Sequence, residues 1–395
     1  MDLLKLLGRK NEIFKEDISV FEKDLQSIIC DSSFLVIGGA GTIGQSVVKE
    51  IFKRNPRKLH VVDISENNIV ELVRDIRSSF GYIKGDFQTF ALDIASDEYD
   101  KFIADDGKYD FVLNLSALKH VRSEKDEYTL MRMIRVNIIN TEKTIEQACA
   151  NSAKKYFCVS TDKAANPVNL MGASKRIMEL FLFEKSDKID ISTARFANVA
   201  FSDGSLLFGF NQRIQKMQPI VAPNDIKRYF ITPQESGELC LLSCLKGVNR
   251  DIFFPKLNDN LRLTSFADIA VNYLENLGYE PYMCEDEAEA RSSVQKLIKN
   301  KKWPCLFTES DTTGEKDFEE FYTENEILDM ASFASIGVIK SNTEFDRNKN
   351  EYFRKTIADF IKNKKWNKSD IVDLFNYMLP NFNHLEKGKY LDGKM

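Results

Sequence analysis

Between residues 31 and 200 the chain alternates two hydrophobic patterns. Short runs rich in apolar residues at 34–37, 59–62, 89–92, 111–115, 156–159 and 191–196 have the length of buried strands. Between them apolar residues recur every three or four positions, which predicts helices at about 42–53, from 66 onward, at 129–151 and at 172–185. Regular alternation of strand and helix means a parallel sheet with right-handed crossovers and helices on both faces. The expectation is an α/β, doubly wound domain over 31–200.

The flanks read differently. Residues 1–30 carry Leu3, Leu4, Leu7, Ile13, Phe14, Ile18, Phe21, Leu25 and Ile28 at roughly helical spacing, predicting a helical N-terminal extension. Beyond 200 the alternation loosens, as expected of a smaller substrate lobe over 201–325. That lobe should hold a helix from about 234, a strand at 252–255 and a helix at 265–277. Residues 281–309 begin acidic (Glu285, Asp286, Glu287) and end basic (296–302), which suits a single solvated helix and its dipole. Residues 326–395 read as a helical C-terminal extension, with Tyr352, Phe353, Ile357, Phe360 and Ile361 along one side.

Composition mainly excludes. Hydrophobic residues at 43% and charged ones at 29% are ordinary for a folded protein, and a net charge of −5 offers no general basic surface. Nucleic acid and anionic membrane are therefore not expected partners. No run reaches membrane-spanning length, and the apolar part of MDLLKLLGRK is too short for a signal peptide. Seven scattered cysteines lack a CxxC pair, and Cys240 and Cys244 read as reduced core residues rather than metal ligands. The expectation is a soluble cytoplasmic protein without a metal site.

Candidate chemistry starts at the first strand end. Gly38, Gly41 and Gly44 form GxxGxxG between strand and helix, with Thr42 and Ile43 at the helix start. The first glycine permits the tight turn, the second lets backbone approach a pyrophosphate, and the third lets helix pack on strand. Free N–H groups of the helix start then face the phosphates. The second strand ends in Asp63, followed by Ser65, where a carboxylate accepts hydrogen bonds from ribose hydroxyls and repels a 2′-phosphate. That favours NAD over NADP. Asp93 and Ile94 end the third strand at the position of the adenine. Ser116 and Ala117 end the fourth and are small enough to let the chain pass close to the cofactor.

The densest chemistry lies in 159–176, VSTDKAANPVNLMGASKR. Thr161, Asp162 and Lys163 follow directly on a buried strand, and Lys175 falls in the first turn of the next helix. In an open parallel sheet this edge is where ligands bind.

GGAGTIG, the strand-ending Asp63, LSALKHV, VSTDKAANPVNLMGASK and ARFANV together resemble the extended short-chain dehydrogenase/reductases. More narrowly, residues 30–325 are similar to nucleotide-sugar 4,6-dehydratases of bacterial polysaccharide and nonulosonic-acid biosynthesis. The resemblance implies a Rossmann-type fold, tightly bound NAD and a UDP-sugar substrate. It further implies a homo-oligomer whose helices at 129–151 and 172–185 pair between subunits. The segment 310–321, with Gly314, Glu315, Lys316, Glu319 and Glu320, is similar to the family's RPGEK segment, but Thr312 and Thr313 replace its arginine and proline. Lys316 and Arg228 are the substitute contacts for the diphosphate. Lys119, His120, Asn198 and Ser205 complete the implied substrate contacts, and Arg195 reads equally as a member of a buried ion pair.

The YxxxK pattern of most short-chain dehydrogenases is MxxxK here, Met171 with Lys175. A branch of the dehydratases carries methionine at that place and resembles enzymes that retain configuration at C5 of UDP-N-acetylglucosamine. Length and extensions are similar to dehydratases of legionaminic-acid-type pathways.

The implied chemistry removes water between C5 and C6 of a hexose whose C4 is transiently a ketone. Lys163 as base at C5 requires a depressed pKa, from Lys175 and partial burial. Asp162 as acid at O6 requires a raised one. The O4 proton has three routes, through Thr161, a water or Lys163, and Lys175 is expected to hold the nicotinamide ribose. An epimerase, a C5-inverting dehydratase, a GDP-sugar dehydratase and a non-catalytic NAD-binding regulator are the competing readings.

Overall fold

In the computed structural model, residues 2–257, 261–310, 319–384 and 388 are described. Among them one sheet of nine strands dominates. Its parallel part runs Asp86–Ala91, Lys58–Asp63, Ser33–Ile37, Phe111–Asn114, Lys155–Val159, Asp190–Ala194 and Asp251–Pro255. The central strands are buried along their whole length because helices cover both faces. Strand order reverses beside Ser33–Ile37, which pairs with Lys58–Asp63 on one side and Phe111–Asn114 on the other. The chain therefore leaves a crevice above the carboxyl ends of these strands. The Rossmann-type, doubly wound α/β fold is thus observed.

Two stretches depart from the sequence expectations. Residues 326–340 are not helical: Ile336–Lys340 pairs antiparallel with Asp251–Pro255, and Leu328–Asp329 pairs with it in turn. Both belong to the main sheet, as does Asp251–Pro255 itself, expected in the smaller lobe. The apolar run of Ile336–Lys340 is too short to show a period, and its burial comes from the sheet edge it closes. Residues 281–309 are not one helix but a strand, a helix and a strand: Glu280–Met283, Glu287–Lys299 and Lys302–Thr308. The strands pair parallel with each other and with Ile220–Pro223 in a second sheet. Charge polarity marked the helix correctly, and the β-rich WPCLF was hidden behind its basic end.

At the N-terminus the extension splits into Leu3–Leu6 and Lys15–Cys30. Arg9, between them, makes a buried two-pronged ion pair with Glu235 at 2.7 and 2.8 Å. At the C-terminus, Arg347–Asn363 and Lys368–Met378 lie against the Leu170–Glu184 helix. Phe353 meets Phe181 edge-on, Arg354 bonds Glu142 and Glu184, and the Trp366 indole donates to the Glu127 carbonyl at 3.1 Å. The chain's own tail thus covers part of the helical face that the resemblance assigns to subunit pairing.

Candidate active site

The turn after Ser33–Ile37 is built for close approach. Gly38 has φ +71°, and a Cβ there would sit 2.7 Å from the Ser116 backbone nitrogen. Gly44 lies against Gly38 and Gly39 in the same way, and Gly41 caps the Thr42–Phe52 helix without a side-chain bond to its first turn. Asp63 accepts from the Ala40 amide at 3.0 Å and the Ser65 amide at 2.9 Å, tying the second strand end to the glycine turn. Ser65 itself caps the Glu66–Phe80 helix, and Thr42 Oγ1 accepts from the Asp203 amide. Ile43 packs at the edge of the core. Asp93 accepts from the Ala95 amide at 2.8 Å, while the Ile94 side chain is buried in the core beneath. Ser116 bonds Asn114 Oδ1, and Ala117 is half-buried beside it. A tight glycine cradle, an uncapped helix start and a carboxylate at the neighbouring strand end fit a dinucleotide.

Thr161, Asp162 and Lys163 turn off the end of Lys155–Val159 in one 3-10 turn. Asp162 is buried, and both its oxygens lie within hydrogen-bond distance of Lys163 Nζ, at 3.1 and 3.2 Å. The Thr161 hydroxyl donates to Asp162 Oδ1 at 2.7 Å. Burial draws the Lys163 pKa down, but the carboxylates of Asp162 and Glu319 outweigh it and hold it above the ordinary lysine value. The expected depression is therefore corrected: the cation acting on Lys163 is Arg228, not Lys175, and it is outweighed.

Glu319 is the residue the sequence reading quoted without a role. Its carboxylate accepts from the Tyr229 amide at 2.9 Å and from the Asn198 amide group, with Arg228 Nε 3.9 Å away. Burial and the neighbouring Asp162 push its pKa up to about 7. The available signal was the Glu319-Glu320 pair that ends the GEKDFEE run, beside its one lysine, Lys316.

Below this cluster lies a second ionic group. Ser160 donates to Glu179 at 2.6 Å, and Glu179 is paired through both oxygens with Arg195. Arg195 reaches on to Glu326 and to the Phe321 carbonyl, just after Glu319. The same arginine thus braces the strand end carrying Asp162 and the segment carrying Glu319.

Met171 points into the apolar core, and its amide donates to the buried carboxylate of Glu124 at 2.9 Å. Gly172 is required by packing, since a Cβ would sit 2.5 Å from the Lys163 carbonyl oxygen. Lys175 is buried, bonds the Val159 carbonyl at 3.1 Å, and has its pKa lowered by burial. Asn137 was not read from sequence. It lies in a π-helical turn, Arg135–Ile139, and clamps both N–H and C=O of Leu118 while bonding Ser174. A buried asparagine within the apolar run MIRVNII was the available clue.

The remaining candidates gather around the loop at 202–205. Lys119 reaches the Ser202 hydroxyl at 3.3 Å, and His120 lies against Gly204. Both residues are exposed, and partial desolvation against the neighbouring loop is the main cause that lowers their pKa values. Ser205 uses its hydroxyl to cap the Leu206–Gln215 helix, accepting from the Phe208 amide. Asn198 and Arg228 join Glu319, as above. Lys316 lies outside the described residues.

Residues 34–341 match the family model described as polysaccharide biosynthesis protein. The chain belongs to this family. Among its relatives, an uncharacterized membrane protein of Methanocaldococcus jannaschii is 28% identical over 87% of the chain and 96% of its own length. The capsular polysaccharide biosynthesis protein CapD of Staphylococcus aureus is 26% identical over 83% of the chain, which spans only 56% of CapD. A UDP-N-acetylglucosamine 4,6-dehydratase (inverting) of Campylobacter jejuni is 27% identical over 60% of the chain and 70% of the relative. The X-ray structure of Pen from Bacillus thuringiensis superposes with a TM-score of 0.64 at 25% identity, covering 81% of this chain and 90% of that one. No helix among the described residues is long and apolar enough to cross a membrane.

Proposed function

We propose that this protein is a 4,6-dehydratase of a UDP-N-acetylhexosamine, UDP-N-acetylglucosamine being the first candidate, working with tightly bound NAD. The observation that carries the reading is the buried Asp162 paired with Lys163 at a strand end that opens on the same crevice as the glycine cradle. The name of the Campylobacter jejuni relative supports the substrate and reaction class. Asp63 supports NAD over NADP, because its carboxylate would face a 2′-phosphate.

NAD, when bound, supplies the hydride chemistry at C4 and C6. The chain supplies the proton chemistry. Lys175, bonded to the Val159 carbonyl, would hold the nicotinamide ribose. Thr161 offers its hydroxyl to O4. Lys163 and Asp162 attend C5 and O6, where the elements of water leave. Met171 takes no part in proton transfer, since a thioether in the core has no proton to give.

Incubating the purified protein with UDP-N-acetylglucosamine and following product mass tests the reading. Loss of one water supports it. An isobaric product means an epimerase, and retained dinucleotide without turnover means a binding protein. A GDP-sugar panel checks the nucleotide. Retention of configuration at C5 follows from the Met171 resemblance, whereas the relative's name favours inversion, and NMR of the product decides between them.

A further inference from the structure

The chain beyond its last helix runs back toward the active site. After Lys368–Met378 it turns, the Phe382 amide donating to the Leu379 carbonyl at 2.9 Å. The Phe382 ring then enters the apolar core that also holds Leu170 and Met171. Two residues on, His384 Nε2 lies 3.2 Å from Glu124 Oε2. The pair is largely out of water, with the Glu124 side chain fully buried and that of His384 only 10% exposed. A carboxylate oxygen only accepts, so the imidazole is the donor.

Glu124 stands between that histidine and the reacting groups. Its other oxygen accepts from the Met171 amide at 2.9 Å, one of the N–H groups that a helix start leaves without an internal partner. The helix dipole favours a carboxylate at the same place. The next amide, that of Gly172, is taken by Asn169. Gly172 in turn packs on Lys163, where a Cβ would sit 2.5 Å from the carbonyl oxygen. One turn along the same helix, Lys175 bonds the Val159 carbonyl at 3.1 Å. Glu124 also ends the short turn Val121–Glu124, which follows directly on Lys119 and His120. One carboxylate therefore ties the 119–120 loop to the helix start that packs on Lys163.

We propose that His384 is a positioning residue for the reaction: by bonding Glu124 it sets where the Leu170–Glu184 helix begins, and with it the placement of Lys163 and Lys175. The proposal rests on the dehydratase reading and gives the C-terminal extension a part in it. Without the imidazole, a buried carboxylate oxygen loses its donor. The group relieves that cost by moving, and the Met171 amide moves with it. Reaction geometry is sensitive to shifts far smaller than a side chain, so the loss falls on the chemical step rather than on substrate binding.

The test compares the full chain as wild type, H384F and H384Q, with UDP-N-acetylglucosamine as substrate. Phenylalanine removes the donor but keeps a ring beside Phe382, whose centroid lies 5.9 Å from that of His384. Glutamine restores an N–H donor. H384F should lose about 10- to 10²-fold in kcat with KM little changed. H384Q should recover most of that loss. A second readout needs no turnover: hydrogen exchange of the 170–175 amides should speed up in H384F, return in H384Q, and leave the 155–159 strand unchanged. An H384F protein that melts earlier but keeps its kcat makes the histidine a support of the fold alone and overturns the proposal. H384Q as slow as H384F overturns it too, since the donor then does not matter. A wild type without dehydration overturns the dehydratase reading, and exchange at 170–175 still decides whether His384 pins the helix start.

Discussion

Two glutamates about one strand end share burial and share little else. Glu179 sits under the turn with Arg195 bonded to both its oxygens, Arg176 at 2.8 Å and the Ser160 hydroxyl at 2.6 Å, and its pKa falls to about 2 despite complete burial. Glu319 accepts from the Tyr229 amide and Asn198, has Arg228 no nearer than 3.9 Å and Asp162 as a neighbouring carboxylate, and its pKa rises to about 7. Burial opposes ionisation in both. Pairing decides the sign. A fully paired buried carboxylate is a brace, and an underpaired one is available for chemistry.

The largest effect should come from breaking the brace. Arg195→Met leaves Glu179 buried without its main partner, a loss of about 3–5 kcal/mol in stability. Denaturant unfolding with an unchanged m-value checks it, and a loss below about 1 kcal/mol would mean that Glu179 is not braced as described. Next come Asp162→Ala and Lys163→Ala, each expected to lower the rate of water elimination by about 10²–10⁴-fold while leaving the fold intact by circular dichroism. Activity retained in either variant removes that residue from the reaction.

The same contrast explains what sequence could reveal. The main sheet was legible because strand and helix periods alternate cleanly from Phe34 to Ala194, each strand end marked by Gly38, Asp63, Asp93, Ser116 or Thr161. Asp162, Lys163 and the glycine cradle were legible because they are contiguous and each lies at such an edge. Glu319 was not, because its meaning depends on Asn198, Tyr229 and Asp162, which are 121, 90 and 157 residues away in a chain whose pairing no local pattern encodes. The pKa direction of Lys163 was misread although its main raising partner, Asp162, is the next residue, and the distant Glu319 adds to the same effect. The edge strand Ile336–Lys340 was missed for a related reason: five apolar-rich residues carry no period until a partner strand is known.

Met171→Ala sharpens the comparison from the apolar side. Met171 is 4% exposed in a core of Leu170, Ile177 and Met178, so truncation should cost about 2–3 kcal/mol through the cavity it leaves. Elimination should slow less than tenfold, because the side chain carries no proton. Calorimetry and single-turnover rates separate the two. A rate loss as large as that of Lys163→Ala would give the methionine a chemical role.

The smallest expected effect is the pH dependence of stability, and its sign separates the two glutamates. Glu179 titrates lower in the folded chain than in the unfolded one, so its contribution is full above about pH 4.5 and is lost as pH falls toward 2. Glu319 titrates higher when folded, so between about pH 4.5 and 7 the folded chain binds the extra proton and stability declines as pH rises. E319Q removes only the second dependence. The difference in unfolding free energy between E319Q and wild type should therefore shift in favour of E319Q by about 1–3 kcal/mol from pH 5 to pH 7, and then level off. Urea midpoints at pH 5, 6, 7 and 8 read this directly. A flat difference would mean that Glu319 is ionised throughout, and the two carboxylates would then differ in partners but not in charge.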